Sequence, residues 1–236
     1  MDNSRDSGRI ADNVARIRHR MAEAAKAAGR KPEEVLLCAA CKGRTNEEVL
    51  ESAELPVDLF GENRAQELAA HQDAGAYLHK PCHFIGVLQT NKVRRVVGRA
   101  EVIQSVGSLR LLQAINREAH ARGLCQDILF EINLGDEQNK HGMPTGQLPM
   151  LLENAAGFPH IRVRGLMAIP PVHDNVLENR RYFAILRKML EQARTFHYEN
   201  APLDILSMGM TDSFEAAIME GATMIRVGTG IYGMRK

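Results

Sequence analysis

Short apolar runs alternate along this chain with stretches whose apolar residues recur every three or four positions, a pattern that predicts strands interleaved with amphipathic helices. Ile10, Val14, Ile17 and Met21, continued by Ala24, Ala25 and Ala28, predict a first helix stopped by Gly29 and Pro32. Val35 to Cys41 is an unbroken apolar run ending on Lys42, which fits a strand covered on both faces better than a helix. If Lys42 shares a face with Leu36, Cys38 and Ala40, the small side chains beneath it leave room at the strand's end. Asn46 is expected to cap a short helix carrying Val49 and Leu50, and a strand over 57–60 ends at Gly61-Glu62-Asn63-Arg64. A helix over 64–78, a strand over 82–86, a short basic helix over 89–97 and a strand over 102–106 follow. Ser108 caps the next helix, with Leu111, Leu112 and Ile115; a strand over 128–132 leads into a long polar loop over 134–144. Beyond a helix over 146–156 and a strand over 163–169, Pro170-Pro171 gives a rigid exit. Asn175 then starts what reads as the longest helix, with Leu177, Phe183, Leu186, Leu190 and Ala193 inward. A strand over 203–208, a short helix over 213–219 and a strand over 224–227 lead to Gly228-Thr229-Gly230-Ile231-Tyr232-Gly233.

Eight strands separated by helices, with no linker or low-complexity tract, predict an α/β protein formed as a single (β/α)8 TIM barrel domain over 1–236. A doubly wound open sheet is the alternative that alternation alone leaves open. In either architecture Lys42, Asn63 and the residues after Met208 and Val227 gather on the rim formed by the strands' C-terminal ends.

Composition narrows the function classes. With 236 residues, 44% of them hydrophobic, the chain buries a full core. A net charge of +1 supplies no broad pull toward nucleic acid or anionic membrane, so an anion has to be bound locally. The first ten residues lack the apolar core of a signal peptide, and no apolar run approaches the ~20 residues of a membrane span. The expectation is a cytoplasmic monomer without nucleic-acid or membrane partners. Cys38, Cys41, Cys82 and Cys125 are expected as reduced thiols. Cys38 and Cys41, three apart in a strand, face opposite sides and read as packing residues, and no second close pair supports a metal site.

The last two loops suit phosphate binding, which barrels often place after strands seven and eight. Ser207-Met208-Gly209-Met210-Thr211 offers a glycine for close backbone approach and two hydroxyls before a helix start; Asp212 with Glu215 could instead form a capping arrangement there. Gly228-Thr229-Gly230 offers further backbone donors and a hydroxyl. Arg226, between Ile225 and Val227, is expected to point into the barrel, where a buried guanidinium requires an acceptor, in the core or on a ligand. Lys42 and a phosphate cup on one rim suggest a phosphorylated aldehyde bound as a Schiff base. That needs a neutral amine, which burial over Cys38 and Ala40 and a nearby cation such as Arg226 would favour.

These stretches, together with Gly61-Glu62-Asn63-Arg64-Ala65-Gln66-Glu67, His83-Phe84-Ile85-Gly86, Leu88-Gln89-Thr90-Asn91-Lys92 and Gly165-Leu166-Met167, resemble the pyridoxal phosphate homeostasis protein family, also known as the proline synthetase co-transcribed family. The resemblance covers nearly the whole chain. It implies a barrel similar to the N-terminal domain of alanine racemase, of the fold type III pyridoxal-phosphate proteins. It implies Lys42 as the pyridoxal 5'-phosphate lysine, Arg226 at the pyridine nitrogen, and Ser207, Gly209, Thr211, Gly228 and Thr229 around the phosphate, with Asn63 nearby. A permanently charged donor at that nitrogen disfavours ring protonation and weakens the ring as an electron sink. Cys82 and Gly107 stand where the family usually has tryptophan and aspartate, and the acidic residue within 211–215 is displaced, which bears on the Thr211 assignment.

The function so implied is a non-catalytic carrier that holds pyridoxal phosphate, limits free reactive aldehyde and passes it to pyridoxal-phosphate-dependent apoenzymes. An amino-acid racemase is the runner-up, opposed by the absence of room before Lys236 for a second domain and by the need for proton donors on both substrate faces. A Schiff-base aldolase acting on a phosphorylated sugar would be colourless as purified. A nucleic-acid or protein-binding module would rest on Lys92, Arg94, Arg95 and Arg99, a run that reads as a solvated helix face without an aromatic platform. Lys140, in the loop after strand five, is expected on the same rim as Lys42, helping capture or release the cofactor.

Overall fold

The computed structural model describes residues 4–135, 141–171 and 176–234. Its strands are β1 (Leu36–Ala40), β2 (Leu59–Glu62), β3 (Cys82–Phe84), β4 (Val102–Val106), β5 (Gln126–Asn133), the two-residue β6 (Met143–Pro144), β7 (Ile161–Met167), β8 (Ile205–Ser207) and β9 (Met224–Val227). All pair in parallel. β1 bonds to both β2 and β9 while β4 bonds to both β3 and β5, so eight strands close a ring and β6 merely extends β5. Closure excludes the open doubly wound sheet.

Strand alternation sorts the side chains into two cores. Cys38, Leu59, Val102, Leu129, Met167, Ile205 and Met224 pack inside the ring. Leu37, Ala39, Cys41, Phe60 and Ile225 belong to the larger core between strands and helices. Each fully buried Leu or Phe there contributes roughly 1.5–3 kcal/mol. Cys38 and Cys41 thus lie on opposite faces of β1, as three-residue spacing in a strand requires.

The helices are α1 (Ser4–Ala27), α2 (Asn46–Ala53), α3 (Ala65–Asp73), α4 (Leu109–Ala121), α5 (Leu148–Ala156), α6 (Val176–Arg194), α7 (Phe214–Met219) and α8 (Thr229–Tyr232). On α1, Ile10, Val14, Ile17 and Met21 form the buried stripe, and the helix packs on α7 and α8 beside the rim.

Several expectations are corrected. At 24 residues α1 is longer than α6, at 19. Leu177 is 70% exposed instead of inward, and Asn179 is buried; the apolar stripe starts at Phe183. The start placed at Asn175 lies outside the described residues. α2 is capped by Thr45, whose hydroxyl accepts from the Glu48 N–H, so Asn46 is its first helical residue. α3 stops well short of residue 78, where Gly75 takes a φ of 67°. The segment 89–97 is a 3-10 turn over Thr90–Arg95.

Candidate functional site

The C-terminal ends of β1, β2, β8 and β9 bring the candidate residues to one rim. Lys42 sits in a turn that starts one residue beyond β1, closed by the Arg44 N–H donating to the Cys41 carbonyl at 2.9 Å. Gly43 takes a φ of 68° within that turn, so the left-handed residue the turn needs is a glycine. Lys42 is exposed. The burial over Cys38 and Ala40 expected to favour a neutral amine is not found, since Cys38 is buried while Lys42 itself is exposed.

Arg44 fastens this turn to the end of the chain's last helix. Its Nη2 donates to the Gly233 carbonyl at 2.6 Å, and its guanidinium lies 5.2 Å from the centre of the Tyr232 ring. From the other side, His71 Nε2 is 3.1 Å from the Arg44 carbonyl. A carbonyl can only accept, so Nε2 carries a proton. His71 Nδ1 meets Glu62 Oε1 at 2.7 Å, and the Tyr77 hydroxyl donates to the same oxygen at 3.0 Å. The hydrogen bond to Glu62 raises the His71 pKa against the opposing effect of burial.

Register then sets the other half of the site. Cys38 pairs with Arg226 and Ala39 with Val227. A Cβ on Gly228 would lie 3.3 Å from the Ala40 carbonyl, so Gly228 abuts the end of β1 just before the Lys42 turn. Beyond it, the Thr229 and Thr211 hydroxyls are 3.0 Å apart, and the Gly230 N–H donates to Thr211 Oγ1 at 3.2 Å. The N–H groups of Gly228 and Thr229 have no partner among the described residues. Two hydroxyls and two backbone donors thus face outward as an anion cup.

Arg226 lies one layer below, inside the ring and 4% exposed. It donates to Ser207 Oγ at 2.6 Å and to the Ala168 carbonyl at 3.0 Å. Burial lowers its pKa, while Cys38 and Glu131 pull the other way. Ser207 in turn contacts Gln104, and Gln104 contacts His83. Burial holds His83 down to about 3. Cys38, beneath the rim, is pushed up to about 12 by burial and is an inert thiol.

Thr211, Gly228, Thr229, Arg226 and Lys42 are therefore brought together, with Arg226 in the inward orientation its strand position predicted. Ser207 is fully buried and its hydroxyl is engaged by Arg226 and Gln104, away from the cup. Gly209 has a φ of 92°, and a Cβ there would come within 2.6 Å of the Ala217 Cβ; its freedom is spent on packing α7. The Asp212–Glu215 cap does not form: Ser213 Oγ accepts from the Met210 N–H, and Glu215 bonds to Arg20. Asn63 is half-buried at the end of β2, and the Gly86 Cα lies so close to it that a Cβ would meet the Asn63 carbonyl at 2.3 Å. Lys140 lies outside the described residues. Sequence reasoning missed Arg44, His71, Gln104 and His83. Gln104 and His83 carried a signal like that of Arg226, a polar residue inside an apolar strand; Arg44 and His71 did not.

A protein built this way is a rim-binding barrel with an exposed amine, an anion cup and a buried cation. The alanine racemase N-terminal domain family matches residues 6–236. A pyridoxal phosphate homeostasis protein of Pseudomonas aeruginosa is 38% identical over 96% of this chain and 96% of its own length. One from Aquifex aeolicus is 36% identical over 95% and 98%. Among solved structures, a protein from Bifidobacterium adolescentis superposes with a TM-score of 0.92 at 33% identity, covering 97% of this chain and 96% of the other. PipY of Synechococcus elongatus, solved with pyridoxal phosphate bound, superposes at 0.78 and 30% identity, covering 90% and 100%. Alanine racemase of Clostridium difficile, 19% identical with a TM-score of 0.72 and 57% of its length covered, shares the fold. The chain belongs to the alanine racemase N-terminal domain family and, within it, to the pyridoxal phosphate homeostasis proteins.

Proposed function

We propose that this chain binds pyridoxal 5'-phosphate as a non-catalytic carrier, keeps the reactive aldehyde sequestered and hands the cofactor to dependent apoenzymes. The observation that carries this reading is the junction of β1 and β9, where Cys38 pairs with Arg226 and Ala39 with Val227, so that the Lys42 turn follows β1 and the cup of Thr211, Gly228 and Thr229 follows β9 at the same end of the barrel, beyond the buried Arg226. The donor set fits the cofactor: an amine for its aldehyde, neutral and backbone donors for its phosphate, and a cation below. When bound, pyridoxal phosphate supplies an aldehyde that bonds to amines and a ring that stores electrons.

Lys42 presents the tethering amine, held in place by the Arg44 clamp. Thr211, Gly228 and Thr229 take the phosphate, Arg226 meets the pyridine nitrogen, and Asn63 borders the site. Ser207 and Gly209 serve from beneath, the first by bonding Arg226 and the second by seating α7. A guanidinium keeps its proton and cannot pass one to the ring, which supports a holding role over carbanion chemistry. The whole span 1–236 acts as one unit, a cytoplasmic monomer; its near-neutral net charge of +1 agrees with a protein that recognises one small anion instead of nucleic acid or membrane.

The test is an absorbance spectrum of the cofactor-loaded protein before and after borohydride reduction, followed by peptide mapping. A reduced pyridoxyl adduct on Lys42, lost in Lys42→Ala, is the expected result. An adduct elsewhere, or an unchanged spectrum in Lys42→Ala, overturns the site. Robust stereospecific turnover of alanine or another amino acid overturns the carrier role.

A further inference from the structure

The arginine inside the barrel fixes the direction of a hydrogen-bond chain that crosses to the opposite wall. A guanidinium has no acceptor, so Arg226 Nη1 can only donate to Ser207 Oγ. The single hydroxyl hydrogen of Ser207 is therefore free for Gln104 Oε1, 2.7 Å away. That sets the Gln104 amide, whose NH2 end faces His83 Nδ1 at 2.8 Å and Met224 Sδ at 3.2 Å. His83 Nδ1 must then accept, so its ring is neutral with the proton on Nε2. All four side chains are buried: Arg226 at 4% exposure, His83 at 5%, Ser207 and Gln104 at 0%. Their neighbours in the ring include the apolar Leu129, Met167 and Ile205, and the buried Glu131 is the carboxyl that acts on Arg226. In such surroundings an unpaired polar end is costly and a satisfied chain is rigid.

An amide suits the middle of this chain, offering an acceptor to the Ser207 hydroxyl and a donor to His83 Nδ1. We propose that Gln104, backed by His83, is a positioning residue that aims Arg226 at the bound cofactor by orienting the Ser207 hydroxyl. Ser207 is on this view part of the cation's mount and not a phosphate ligand. The inference rests on the pyridoxal phosphate reading of the rim.

The experiment uses the full chain loaded with pyridoxal phosphate and, in parallel, with pyridoxal, which lacks the phosphate. Gln104→Leu and Ser207→Ala are each expected to shift the absorption band and to speed cofactor release about tenfold, the effect of losing one hydrogen bond of ordinary strength. The double variant is expected to be no faster than either single one, since both cut the same chain. His83→Gln, which keeps an acceptor for the Gln104 amide, is expected to retain the wild-type band. Gln104→Met, unbranched and of similar length, offers the Ser207 hydroxyl no amide oxygen and is expected to shift the band as Gln104→Leu does, which keeps the test intact should the leucine variant misfold.

Effects of Ser207→Ala confined to the phosphate-bearing compound would make Ser207 a phosphate ligand and overturn the proposal. Multiplying effects in the double variant, or a wild-type band in both Gln104 variants, would do the same. Failure of the wild-type protein to form the Lys42 adduct would remove the cofactor reading itself, a result separate from any of these.

Discussion

Arginines at the two ends of the barrel are treated in opposite ways. At the N-terminal end, Arg162 grips Asp127 with two bonds of 2.7 and 2.9 Å. Arg164 bonds Asp127 at 2.8 Å and takes Asp204 in a second two-bond grip of 2.7 and 2.5 Å. These pairs raise the arginine pKa values above the usual range. At the C-terminal end, Arg226 is bonded only to a hydroxyl and a carbonyl among the described residues, and burial pulls its pKa down. Glu131 influences it without forming an ion pair among those residues, and burial itself pushes the Glu131 carboxyl up. One end satisfies its cations within the fold. The other keeps a charge without a paired counter-charge, which is what a site for an anionic ligand requires and what a stability element avoids.

The largest expected effect on stability lies at the satisfied end. Asp127→Ala removes charged bonds to both Arg162 and Arg164 and should cost about 1.5–3 kcal/mol in urea unfolding. Cofactor retention should be unchanged. Loss of retention in a folded Asp127→Ala protein would mean that the two ends are coupled.

A second, intermediate effect separates the ends by pH. His83, at the end of the Gln104 chain away from Arg226 and within reach of the lower charges, has its pKa lowered to about 3, first by burial and then by Arg164, with Asp127 opposing. The unfolded imidazole has a pKa near 6.5. Between these values the unfolded chain binds the extra proton, so the contribution is complete above about pH 6.5 and is lost as pH falls toward about 3, at up to about 1.4 kcal/mol per unit. Asp204 is also lowered, by Arg164, but from an ordinary value of 3.8, so its contribution survives until the medium is far more acidic. His71 is raised, and its share stays complete below about pH 6.5. Urea midpoints between pH 6.5 and 5 should therefore fall less steeply for His83→Gln than for wild type, and equal slopes would show that His83 takes a proton in the fold.

How much of this was legible follows from how far apart the interacting groups are in sequence. Alternation within a strand placed Arg226 inside the ring and split Cys38 from Cys41, because each inference needs only neighbouring residues. Loop position and residue type brought Thr211 and Thr229 together. The bond between Ser207 and Gln104 was not legible, because the two lie more than a hundred positions apart and meet only across the closed ring. Leu177 looked inward by spacing alone, yet Asn179 takes the buried face there and the apolar stripe begins only at Phe183. The clamp on the Lys42 turn combines Arg44 with Gly233 and His71, contacts that exist only once the barrel has closed.

The smallest expected effect on stability is also the sharpest test of the contrast between the ends. Arg226→Met replaces a buried cation with an apolar side chain of similar length and removes the desolvation cost that its neutral partners only partly offset. Ser207 still donates to Gln104, so the chain behind it remains bonded, and the acceptors that lose the Arg226 donor are the Ala168 carbonyl and the Ser207 oxygen. Gain and loss should nearly cancel, leaving unfolding free energy within about 1 kcal/mol of wild type. The Lys42 adduct band should nevertheless shift and the cofactor leave faster, because the cation below the rim is gone. An Arg226→Met protein that unfolds as readily as Asp127→Ala, with its cofactor spectrum intact, would make the upper arginine a stability element like the lower ones.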